Sequence, residues 1–232
     1  MFAVVQFPGS NDDRDLRFAL KSVLGAPAEL VWHKSAELPA GTNAVLLPGG
    51  FSYGDYLRAG AMARHSPVMA AVRRFAEAGG PVLGVCNGFQ VLCESGLLPG
   101  VLVRNRGLHF VCELVSVRVE RAGPPFLSRA RPGQVLRMPV KHGEGCYFAP
   151  PELLAGLEAR DQVVLRYCDP GGAVVASANP NGAVANIAGI RSERGNVMGL
   201  MPHPEHAVEP AIGGTDGLAI LGSLVDALGA AP

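Results

Sequence analysis

The stretch Pro81-Val82-Leu83-Gly84-Val85-Cys86-Asn87-Gly88-Phe89-Gln90 constrains this chain more than any other. The apolar run from Val82 to Val85 predicts a buried strand, and the chain then turns at Cys86 into a helix starting near Asn87. Glycines two residues before and two residues after Cys86 give the spacing of a nucleophile elbow, with cysteine in the place of serine. Such an elbow holds its nucleophile on strained backbone, and small neighbours let the strand and helix approach one another. The thiol would sit at a helix N-terminus, where the dipole favours the thiolate. The same residues also fit a buried structural cysteine beside a glycine-rich turn.

The flanking sequence says what the elbow is set into. Phe2 to Phe7, Glu29 to His33 and Ala44 to Leu47 predict three further strands. A helix capped by Asp12 or Asp13 and running to about Leu24 follows the first of them. A second, amphipathic helix over Pro67 to Ala78 stops at Gly79-Gly80. Strands alternating with helices imply parallel βαβ units, with ligands beyond the carboxyl ends of the strands. Beyond Gly100 the pattern becomes β-rich, with strands expected within Val101 to Glu120, at Val135 to Val140, at Val163 to Tyr167 and at Ala173 to Ala176. Asn181-Gly182 reads as a hairpin tip. A last apolar strand at Asn196 to Met201 leads to His203, and Asp216 to Leu228 predicts a closing amphipathic helix. The expected fold is α/β: a mainly parallel open sheet flanked by helices, with added antiparallel hairpins in the second half. With no repeat or linker visible, residues 1–232 read as one domain.

Composition narrows the classes of function. Twenty basic and twenty acidic residues cancel, and no basic run is present, which argues against a nucleic-acid partner. No apolar run approaches the ~18 residues of a membrane span. The five cysteines are an odd number without a C-x-x-C pair. That pattern argues for a reducing compartment, hence the cytoplasm, and against a disulfide framework. Only 17% of residues are charged, which suggests that a partner covers part of the surface.

Three further stretches carry chemistry. Pro48-Gly49-Gly50 ends a strand, and its glycines can turn amide N–H groups into a site. It also fits an ordinary strand–helix connection. In His203-Pro204-Glu205 the proline disfavours helix at His203, and residues i and i+2 of an extended chain share a face. A cysteine nucleophile needs a base, and the base needs a group that sets its tautomer, so Cys86, His203 and Glu205 could fill the three roles. A metal site is the competitor, because His206 adds a second imidazole; no second cluster completes a coordination shell, and no metal is expected. Val140-Lys141-His142-Gly143-Glu144-Gly145 offers a glycine-rich approach to a small ligand or a plain strand-ending loop.

Gly84-Val85-Cys86-Asn87-Gly88-Phe89-Gln90 together with Pro202-His203-Pro204-Glu205 resembles the class I (triad) glutamine amidotransferases, a flavodoxin-like family. The longer segments, Pro48 to Gly60, His142-Gly143-Glu144-Gly145 and Met201 to Glu205, are similar to the glutaminase subunits of phosphoribosylformylglycinamidine synthase in purine biosynthesis. The likeness runs from Val4 to the final helix. It implies Cys86 as nucleophile, His203 as base and acid, and Glu205 as its orienter. It also implies the Gly50 and Asn87 amides as oxyanion donors, and Gln90, His142 and Glu144 as glutamine contacts. Two departures concern the surroundings of the site: Cys146 stands where arginine is expected, and Gly107 and His109 stand where serine and a basic residue are expected. No nucleotide-binding loop is visible. The resemblance accordingly implies no cofactor in this chain, with ATP and Mg²⁺ on a large synthetase subunit and a small third subunit bridging the complex. The alternatives are a glutaminase subunit serving another synthetase, a stand-alone cysteine amide hydrolase, and a non-enzymatic binding module on the same fold.

Overall fold

β4, the strand that carries the elbow, lies in the middle of the parallel part of the main sheet. The computed structural model describes residues 1–229. In chain order the elements are β1 (Phe2–Gln6), α1 (Asp13–Phe18), β2 (Ala28–Trp32), β3 (Ala44–Leu47), α2 (Pro67–Glu77), β4 (Val82–Val85) and α3 (Asn87–Glu94). There follow β5 (Val101–Val103), β6 (Val111–Val119), β7 (Val135–His142), β8 (Cys146–Phe148), α4 (Pro151–Ala159), β9 (Val163–Cys168), β10 (Ile187–Arg191), β11 (Val197–Leu200) and α5 (Leu218–Gly229). Among the described residues the main sheet has nine strands in the order β2-β1-β3-β4-β11-β10-β9-β6-β7.

The first five of these strands are parallel and the remainder pair antiparallel. The α/β expectation with antiparallel additions therefore holds. Every residue of β3, β4 and β11 is buried. That explains why they read as unbroken apolar runs: helices cover both faces of a parallel sheet. β4 has β3 on one side and β11 on the other, with Leu47 level with Gly84 and Leu200 level with Val85. The chain leaving all three strands emerges at one edge. Registry alone thus gathers the Pro48-Gly49-Gly50 loop, Cys86 and His203, although they are up to about two thirds of the chain apart in sequence.

Three local expectations need correction. Asp12 precedes α1 but makes no side-chain cap bond. Asp13 instead accepts from its neighbour Arg14 N and from Gln6 Nε2. Ala173 to Ala176 forms no strand. There the backbone is satisfied by side chains rather than a ladder: Asp169 Oδ1 accepts from the N–H groups of Gly171 and Ala173, and Asn186 Nδ2 donates to Val175 O. Asn181-Gly182 is not a hairpin tip. Asn181 is buried, and its amide points inward to Gly145 O and Tyr167 Oη. The strand that follows, β10, and the helix α4 are additions to the expected elements.

Candidate active site

Gly84 and Gly88 permit the elbow. A Cβ on Gly84 would lie 2.6 Å from Gly88 O, and one on Gly88 would lie 2.6 Å from the Leu47 carbonyl carbon. The strand and helix can meet only if both residues lack side chains. Between them Cys86 adopts φ +50° and ψ −104°, a conformation that a non-glycine residue holds only where its surroundings enforce it. Cys86 N donates to Leu200 O at 2.8 Å, tying the elbow to the end of β11. Cys86 is 4% exposed, and Lys141 O lies 3.8 Å from its Sγ.

His203 leaves β11 on extended backbone, φ −103° and ψ +94°. The expectation that Glu205 would share its face through continued extension is replaced by a tighter device. Pro204–His206 forms a 3₁₀ turn, with the proline at its first position, where its fixed φ suits helix. The turn folds Glu205 back so that His203 Nδ1 donates to Oε1 at 2.6 Å, with both side chains out of reach of solvent. His203 Nε2 has no hydrogen-bond partner among the described residues. Burial alone would discharge the ring. The carboxylate of Glu205 and the anion of Cys86 outweigh it, and the pKa of His203 is pushed up to about 10.

A second carboxylate that no local sequence pattern marks stands at this imidazole. Asp12 Oδ2 lies 3.7 Å from His203 Nδ1. Its other oxygen is taken by Lys141 Nζ, and by His206 Nε2 at 3.0 Å. Burial opposes the charge on Asp12, but the His206 hydrogen bond and the nearby charges of His203 and Lys141 hold its carboxyl well below the usual range. Asp12, His203, Glu205 and His206 bring donor atoms within 4.8 Å of one another, close enough for a cation. The Lys141 ammonium, however, already neutralises the Asp12 oxygen that a cation would need, and Glu205 Oε1 is engaged by His203. The donors fit a hydrogen-bonded ion network better than a metal shell.

A pocket of about 140 Å³ opens beside Cys86, bounded by Gly50, Phe51, Asp55, Gln90, Phe110, Lys141, His142, Gly143 and Glu144. A larger cavity of about 700 Å³ lies behind the His142 loop against β8, and neither Cys86 nor His203 reaches it. Gly50 has φ +127°. Its N–H and that of Asn87 donate to no protein acceptor among the described residues. The Asn87 side chain also works: Oδ1 accepts from Ser52 N, and Nδ2 donates to Gln90 Oε1 at 2.8 Å and to Asp55 Oδ1 at 3.3 Å. Gln90 Nε2 in turn donates to Glu144 O at 2.6 Å. Gln90 thus bridges α3 to the His142 loop as well as lining the pocket.

His142 and Glu144 differ from each other. The His142 ring is buried, with Nδ1 facing Asn105 Oδ1 at 3.2 Å and Nε2 facing Asn181 Nδ2 at 3.4 Å. Its nitrogens are occupied within the protein, so the ring shapes the loop. Burial, then the charge on His203, pushes its pKa down to about 4. Glu144 stays partly exposed, accepts from Ala59 N and lies 3.9 Å from Arg104. Asp55, with the Glu144 carboxylate nearby, is pushed up to about 6, mainly by burial and secondly by that neighbour. Phe51 and Phe110, with ring centroids 6.3 Å apart, stack at the pocket rim.

The chain as a whole has known relatives. Residues 1–212 match the CobB/CobQ-like glutamine amidotransferase domain. The chain is 56% identical over 224 residues to the phosphoribosylformylglycinamidine synthase subunit PurQ of Gloeobacter violaceus, covering 97% of this chain and 96% of that one. It is 58% identical over 226 residues to the subunit of the same name from Rhodopseudomonas palustris, covering 97% of both. In structure it superposes on a chain of PurLQS from Thermotoga maritima with a TM-score of 0.86 and 40% identity, covering 98% of each. A glutamine amidotransferase from the same organism, at 16% identity and a TM-score of 0.57, shares the fold; that match covers 89% of this chain and 76% of the other. The chain belongs to the CobB/CobQ-like glutamine amidotransferase family, among the PurQ subunits of phosphoribosylformylglycinamidine synthase.

Proposed function

We propose that Cys86, His203 and Glu205 hydrolyse glutamine in this chain and that the ammonia released feeds the synthetase reaction of the phosphoribosylformylglycinamidine synthase complex. The observation that carries the reading is Cys86 held at φ +50° beside an imidazole whose far nitrogen is fixed by Glu205 at 2.6 Å. The Cys86 thiolate attacks the side-chain amide carbon of glutamine. The tetrahedral oxyanion takes hydrogen bonds from Gly50 N–H and Asn87 N–H, each such donor being worth about 3–4 kcal/mol of barrier. His203 Nε2–H gives its proton to the departing nitrogen, which leaves as ammonia, and a γ-glutamyl thioester remains. Water then attacks the thioester with His203 as base, releasing glutamate and restoring the thiol. Glu205 holds the imidazole in one tautomer through both halves. Gln90 and Glu144 hold the glutamine, and His142 acts behind them by fixing their loop.

The rest of the synthetase reaction belongs to partners. The relatives are subunits by name, and the structural relative comes from PurLQS. ATP, Mg²⁺ and the ribonucleotide are assigned to a large synthetase subunit, and a small subunit bridges the complex. The whole chain acts as one amidotransferase domain in the cytoplasm. Five unpaired cysteines and the lack, among the described residues, of a helix long and apolar enough to cross a membrane support that location. Reconstitution tests the assignment. Adding the chain to the large and small subunits should make amidine formation run on glutamine, while the chain alone should turn glutamine over only weakly. Glutamine turnover by the lone chain as fast as by the complex would contradict it.

A further inference from the structure

We infer that Asp12 is a positioning residue for His203, a second carboxylate that shares the imidazolium edge with Glu205 and is itself fixed by Lys141 and His206. The inference rests on His203 being the catalytic base. Asp12 is 2% exposed, and a buried carboxylate needs a reason to remain charged. Its two oxygens are used differently. Oδ1 takes the Lys141 ammonium and His206 Nε2, whereas Oδ2 is left facing His203 Nδ1 at 3.7 Å. Gly49 makes the approach possible: a Cβ there would lie 2.5 Å from Asp12 Oδ2 and 2.6 Å from His203 Cε1. The first glycine of the Pro48-Gly49-Gly50 loop therefore admits the carboxylate to the ring, while the second presents an amide to the pocket.

The consequence is electrostatic. When Cys86 is a thiolate, His203 carries a positive charge that Glu205 and Asp12 flank together. The other charged or titratable groups around it are Cys86 at the elbow, Lys141 and His142 on β7, His206 on the 3₁₀ turn and Asp15 on α1. Lys141 binds the distal oxygen of Asp12, so the pair, neutral as a whole, turns its negative end to the ring. Removing both charges lowers the pH at which His203 loses its proton. A carboxylate that merely neutralises Lys141 would leave that pH unchanged once the lysine is also gone.

The test is the pH dependence of kcat/KM for glutamine hydrolysis by the chain assembled with its synthetase subunits. Two variants are compared with the wild type: Asp12→Asn, and Asp12→Asn/Lys141→Met, in which no ammonium is stranded if the single variant fails to fold. The expected result is a basic limb displaced to lower pH in both folded variants: by up to about three units in Asp12→Asn, as for loss of a charge near 4 Å at an effective dielectric of about 20, and by about one unit in the double variant, where loss of the lysine charge offsets part of the effect. A basic limb in the double variant that coincides with the wild type overturns the inference. His203→Ala separates the two levels of argument. If it hydrolyses glutamine at the wild-type rate, the triad itself is wrong. If it is inactive and the Asp12 limb has not moved, only the role of Asp12 is wrong.

Discussion

Glu205 Oε1 lies 2.6 Å from His203 Nδ1 across one intervening proline, and both side chains are fully buried. The pair is local in sequence, yet its geometry comes from the 3₁₀ turn that Pro204 begins. Glu205→Gln preserves the shape and removes the charge. It should lower kcat for glutamine by about 10²–10⁴-fold, because the imidazole loses its tautomer control and its countercharge. The unfolding midpoint should fall far less than for a core deletion. Steady-state kinetics with denaturant unfolding checks both, and an unchanged kcat would remove Glu205 from the mechanism.

Gly88→Ala should destabilise the protein by about 3 kcal/mol, since the added methyl meets backbone at the Leu47 carbonyl, which cannot rotate aside. Denaturant titration measures this directly. A midpoint equal to the wild type would mean that the elbow has slack that its packing does not suggest.

Two groups beside the pocket give opposite pH signatures. His142 is held below its ordinary value, at about 4, chiefly by burial. The unfolded chain binds its proton first as pH falls, so stability is lost between about 6.5 and 4 by up to roughly 3 kcal/mol. Asp55 is raised to about 6, again chiefly by burial. Here the folded state holds the proton longer, so stability declines as pH rises from about 4 to about 6. His142→Gln should therefore flatten the acid side of the stability profile, and Asp55→Asn should steepen it. Urea midpoints from pH 4 to 7 separate the two, and parallel changes in both variants would contradict the assignment.

What the sequence disclosed follows from distance along the chain. The elbow was legible because Gly84, Cys86 and Gly88 act on each other within one turn. The parallel strands were legible because burial on both faces makes β3, β4 and β11 unbroken apolar runs. Their registry then delivers the glycine loop and His203 to Cys86. The supporting network was not legible. Lys141 meets Asp12 from 129 residues away, and Asn181 meets His142 from 39. No local pattern marks such polar pairs, and Asn181 beside a glycine has the composition of a surface turn. His142 sits in a glycine-rich loop that suggests a ligand contact, whereas its ring nitrogens face asparagines inside the protein.

The central claim, that Cys86 is the nucleophile toward glutamine, is tested most directly by a glutamine-analogue diazo-ketone followed by peptide mass mapping. One equivalent should attach at Cys86 in the wild type and none in Cys86→Ser. The serine variant, assembled with the synthetase subunits, should lose glutamine-dependent synthesis by about 10⁴-fold or more and keep synthesis from added ammonia. Labelling at another cysteine, or glutamine-dependent synthesis that survives in Cys86→Ser, would contradict the account.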